Sequence, residues 1–130
     1  MRVVRWLLAA VAALIGFTIG LVGLFLLTRA VIPTAGVPHF WGMFTASLLA
    51  IYAGSVTVQP QDRMVGLLVF ATIAVGYSAF FLLVGLIGHH AFGQNATEFF
   101  GACSGAAFAV KITPRRKDVA VPAYSGRNRR

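Results

Sequence analysis

Charge is what this chain has least of. Only 11% of its 130 residues are Asp, Glu, Lys or Arg, and just three of them are acidic. A soluble domain of this size carries about a quarter charged residues. The mean hydropathy is +0.83, and 58% of the residues are hydrophobic, more than a single core of this size can hide. The few charges are also clustered. None lies between Arg5 and Arg29, none between Arg29 and Asp62, and none between Arg63 and Glu98. A hydrocarbon layer about 30 Å thick needs roughly 20 apolar residues of helix, and each gap supplies them. Composition therefore excludes an ordinary soluble domain and implies an integral membrane protein.

Cysteine is almost missing too. The single Cys103 excludes an internal disulfide and any Cys-cluster metal site. No ionisable residue stands in the middle of an apolar run, where transporters and proton relays usually place one. No nucleophile–base pair, phosphate-binding glycine loop or zinc signature appears either. Catalysis needs positioned acids, bases or nucleophiles, so an enzyme is not expected.

The pattern that remains predicts an all-α membrane protein of four transmembrane helices with short loops, over about 6–27, 38–58, 62–87 and 96–113. The first begins at Trp6, behind Arg2 and Arg5; it resembles a signal peptide's start, but its apolar run is too long and reads as a retained span. In the second, Pro38 suits a first helical turn, and His39, Phe40 and Trp41 suit the membrane interface. Asp62 is expected against the positive N-terminus of the third helix, with Gly88 just past its end. The fourth has too short an uncharged stretch to span alone. Asn95 as N-cap and Glu98 three residues later form a capping-box pattern, with Lys111 snorkelling at the far level and Pro114 closing.

Orientation follows from the basic residues. With the N-terminus inside, four crossings return the C-terminus inside. The inner side then holds Arg2, Arg5, Arg63, Lys111, Arg115, Arg116, Lys117, Arg127, Arg129 and Arg130, against Arg29 alone outside. This divides the chain into a transmembrane bundle, 1–113, and a basic cytoplasmic tail, 114–130, with little fixed structure. Residues Arg115, Arg116, Lys117, Arg127, Arg129 and Arg130 suit anionic lipid or an acidic partner. The pattern accounts for the net charge of +8 without nucleic acid, and it suits a bacterial inner membrane.

Small residues recur at four-residue spacing: Gly16 and Gly20; Ala46, Ala50 and Gly54; Gly101, Gly105 and Ala109. Such stripes let helices approach closely in lipid, either within one bundle or against a partner subunit. A shift of 56 residues pairs Gly20 with Gly76 and Phe25-Leu26-Leu27 with Phe81-Leu82-Leu83, which suggests two hairpins related by a pseudo-two-fold axis.

The residues left for chemistry are few. His39, His89, His90 and Glu98 fall on the outer side, where imidazoles and a carboxylate could hold a metal or a haem; solvated loop histidines are the plainer reading. No cofactor is expected otherwise. The function that fits is a small non-catalytic accessory or assembly subunit, in contact with the lipid bilayer and with other membrane subunits or copies of itself. The alternatives are a small homo-oligomeric channel or carrier for a neutral solute, using hydroxyls such as Thr18, Ser47 and Tyr77, and a haem- or metal-binding membrane anchor.

Overall fold

The computed structural model describes residues 1–34, 36–88 and 92–114. Among them it has four helices and no strand: α1 Arg2–Val31, α2 Val37–Thr57, α3 Arg63–Gly88 and α4 Phe92–Ile112. Three of these, α1, α2 and α3, are long and apolar enough to cross a membrane. The protein is thus all-helical and built for a bilayer.

Helix ends follow local chemistry. No breaker interrupts α1 until Pro33, whose ring forces Ile32 out of the helical region; Ile32 sits at φ −132° and ψ 86°. The helix consequently runs about four residues further at each end than the apolar stretch alone suggests. Gly36, at φ 103°, turns the chain into α2, and Pro38 occupies its first turn as expected. Gly88 is the last residue of α3 rather than the one beyond it. At the close of α4 the Thr113 hydroxyl donates to the Ala109 carbonyl at 2.7 Å.

The start of α4 differs from expectation. It begins at Phe92, not Ala96, so Asn95 and Glu98 lie inside the helix and form no capping box. Both side chains are used across helices instead. Asn95 Nδ2 donates to the Phe81 carbonyl of α3 at 3.0 Å, and Glu98 reaches His39 of α2. A tertiary partner outcompetes the local cap because inter-helix contacts already hold these backbones side by side.

Consecutive helices run antiparallel, with α2 in the middle. Nine residues of α2 are buried, against three of the longer α1. Glycines make that centre possible. A Cβ added at Gly20 would stand 2.7 Å from the Ala46 nitrogen and the Thr45 carbonyl, and one at Gly16 would stand 2.8 Å from the Leu49 oxygen. On the other flank a Cβ at Gly101 would lie 2.5 Å from the Phe40 oxygen, and one at Gly105 would overlap the Phe44 oxygen. Ala46, Ala50 and Gly54 of α2 are buried between these neighbours, and the Phe70 ring of α3 covers Gly54. The core is accordingly rich in alanine, with Ile51 its largest fully buried side chain. In lipid this close backbone packing replaces hydrophobic burial as the adhesive.

The repeat does not extend to this packing. Gly20 is pressed against α2, whereas its counterpart Gly76 meets nothing within 4 Å. The two hairpins pack differently at that point.

Gly105→Val should therefore unfold the bundle more readily, by about 1–3 kcal/mol from overpacking, whereas Gly76→Ala should be neutral or mildly stabilising. Unfolding of the purified protein in detergent by denaturant titration measures both.

Candidate functional site

Polar side chains are so scarce that their placement is informative. The α2 and α4 helices run parallel from the same end, and the Gly101–Phe40 approach puts the first turn of α2 beside the third turn of α4. This brings His39 level with Glu98. His39 Nδ1 and Glu98 Oε1 are 2.8 Å apart, with 28% and 26% of the two side chains exposed. With Glu98 ionised, imidazole Nδ1–H is the donor. Gln94 Nε2 donates to the same carboxylate oxygen at 3.2 Å. The Phe25 ring of α1 stands edge-on to the imidazole, 5.1 Å between centroids, which fixes the ring from its other side.

Beside this dyad lies a half-open groove of about 330 Å³, lined by Leu21, Val22, Phe25, Leu26, His39 and Glu98. It falls at the small end of ligand-binding cavities, which run from about 300 Å³ upward. The walls are aliphatic and aromatic; among the described residues that line it, the polar groups are those of the dyad.

The opposite end of the bundle carries an ion pair between α1 and the α2–α3 turn. Arg2 Nε donates to Asp62 Oδ2 at 3.0 Å and Nη2 to Oδ1 at 2.7 Å. Asp62 was expected to serve its own helix N-terminus. Its carbonyl does accept the first helical bond, from Gly66 N–H at 2.8 Å, but its carboxylate is taken by Arg2. The fork is bidentate, with Arg2 largely in solvent and Asp62 nearly buried, so solvent screens much of its strength. It ties the start of α1 to the α2–α3 turn.

No protein-family model, curated protein or solved structure matches the chain. Function has to be argued from geometry.

Of the residues expected to bind a metal or haem, the structure brings His39 and Glu98 together; His89 and His90 lie outside the described residues. Among the described residues no group of three or more His, Cys, Asp or Glu side chains could hold a metal ion. The His39 Nδ1 is already engaged by Glu98. The packing residues Gly16, Gly20, Gly101, Gly105 and Ala109 are placed inside the bundle, with Gly16, Gly20, Gly101 and Gly105 against α2. That face of α4 is occupied and offers nothing to another subunit. The hydroxyls are divided: Ser47 and Ser78 are buried, while Thr18, Tyr52, Tyr77 and Ser104 face outward. Thr18, Thr45 and Ser78 donate to carbonyls of their own helices, the ordinary fate of hydroxyls in apolar helices. The tail residues Arg115, Arg116, Lys117, Arg127, Arg129 and Arg130 lie outside the described residues.

Sequence reasoning grouped His39 with Glu98 at one end as possible ligands but not as a hydrogen-bonded pair, and it missed the Arg2–Asp62 pair. A signal existed for each: alternating helix direction alone puts Arg2 at the same end as Asp62, and His39 at the same end as Glu98. In a double-mutant cycle, His39→Ala and Glu98→Ala should couple by about 1 kcal/mol in unfolding free energy, as one part-exposed hydrogen bond supplies. Additive effects would mean that the contact does not form in solution.

Proposed function

We propose that the chain is a non-catalytic integral membrane subunit whose fourth helix docks against a larger membrane complex. The observation that supports this is α4 itself. It has 21 residues, as many as α2, yet it is less apolar than the three helices suited to span a membrane. Its outward face nonetheless presents Phe100, Ser104, Ala107, Phe108 and Lys111. Two exposed rings flanking two small residues form ridges and a hollow, into which another helix can pack. A weakly apolar helix with such a face is better placed against protein than against lipid.

The placement in the membrane follows from length and charge. At 1.5 Å per residue α4 extends about 31 Å, enough to cross with the others. Arg2, Arg5, Arg63 and Lys111 stand at one end of the helices, while Arg29 stands at the other. By the positive-inside rule the first end is cytoplasmic, so both termini are inside. A bacterial inner membrane suits this bias. Reporter fusions should place both termini in the cytoplasm; opposite sides would remove α4 as a span.

Gentle detergent extraction should recover the chain with other membrane proteins, and Ala107→Trp should lower that recovery several-fold while leaving the unfolding midpoint unchanged. A chain that runs alone, or only with copies of itself, would refute the proposal.

A further inference from the structure

The groove beside His39 and Glu98 has a specific shape. On one flank α1 leans on α2 through Gly16 and Gly20, and on the other α4 leans through Gly101 and Gly105. Between α1 and α4 a slot remains at the end of the bundle where α2 begins. Its α1 wall is Leu21, Val22, Phe25 and Leu26, and its polar end is the His39–Glu98 dyad. Val22 and Leu26 are 50% and 57% exposed, so the slot opens sideways on the surface that meets acyl chains. Glu98 is the seventh residue of α4, or about 9 Å along the helix, in the half of the span nearer the end where α2 begins.

The chemistry of the dyad selects the head that fits. A carboxylate beside an apolar wall requires compensating donors. The two that the described residues provide, from His39 and Gln94, converge on the single oxygen Oε1. An imidazole that gives its Nδ1 proton to Glu98 leaves Nε2 as an acceptor. With the imidazole neutral and the carboxylate ionised, the dyad carries one negative charge and accepts hydrogen bonds on its remaining atoms. An anionic head is repelled there. A quaternary ammonium offers no donor and is ordinarily held by an aromatic cage, whereas a single ring, Phe25, lines this slot. A primary ammonium is compact, positive and carries three donors.

We infer that this groove is a binding site for an ethanolamine phospholipid, its ammonium on Glu98 and one acyl chain along Leu21 and Val22. The inference rests on the bilayer placement but not on any partner subunit, so the purified chain alone tests it and its failure leaves the docking face of α4 untouched.

The experiment is native mass spectrometry of the purified full chain with equimolar phosphatidylethanolamine and phosphatidylcholine of identical acyl chains. Wild type should retain the ethanolamine lipid on the order of tenfold more, as one charge-assisted hydrogen bond supplies. Glu98→Gln should bring the ratio close to one. Val22→Trp, on an exposed wall position that can be filled without touching the core, should abolish retention of both lipids at an unchanged unfolding midpoint. Equal retention of the two lipids by wild type would overturn the inference. So would an undiminished ethanolamine preference in either variant.

Discussion

Everything in this fold depends on how closely two helices can approach the carbonyls of α2. Gly16 and Gly20 bring α1 against Thr45, Ala46 and Leu49, and Gly101 and Gly105 bring α4 against Phe40 and Phe44. Any side chain at these positions would force the backbones apart. In a lipid environment there is no solvent to drive apolar faces together, so dispersion contacts between surfaces in direct touch must hold the bundle. Small residues maximise those contacts per unit length of helix. This explains a core whose buried members are mainly alanine, glycine and serine, with large apolar side chains such as Leu14, Ile73 and Leu83 turned outward.

The same constraint positions the polar groups. Once α2 and α4 are held at backbone distance, His39 and Glu98 have little choice but to meet, and Asn95 falls within reach of the Phe81 carbonyl. Close packing on the two flanks of α2 also leaves α1 and α4 apart, and the groove is the space between them. The groove is thus a consequence of where the glycines are, rather than a separate construction. Its polar end is net acceptor because His39 and Gln94 both spend a donor on one carboxylate oxygen.

The two ends of the molecule differ in kind. Among the described residues at the Arg2 end, Arg2, Arg5, Arg63 and Lys111 outnumber the carboxylate of Asp62, and the bidentate pair fastens α1 to the α2–α3 turn. At the other end the His39–Glu98 dyad sits beside an apolar slot. The α4 helix joins the two ends and is less apolar than the three helices suited to cross a membrane.

Much of this was legible in the chain as written. Long uncharged runs, Pro38 at a helix start and Pro33 at a helix end determine three of the helices, because burying charge in lipid and continuing a helix into proline both cost too much to be overridden. Periodic glycines announce close packing, but a stripe of small residues is the same whether it faces a sister helix or a foreign one. Only the tertiary structure decided that the Gly101–Gly105 face is spent on α2, leaving Phe100, Ser104, Ala107 and Phe108 outside. The Asn95–Glu98 pattern reads locally as a cap, and locally it is a good one. Partners from Phe81 and His39, 14 and 59 residues away, were invisible to any local rule and took both side chains. Local sequence settles helix identity because each residue's own chemistry decides it; contacts between distant helices depend on which backbones come close, and that is a property of the whole bundle.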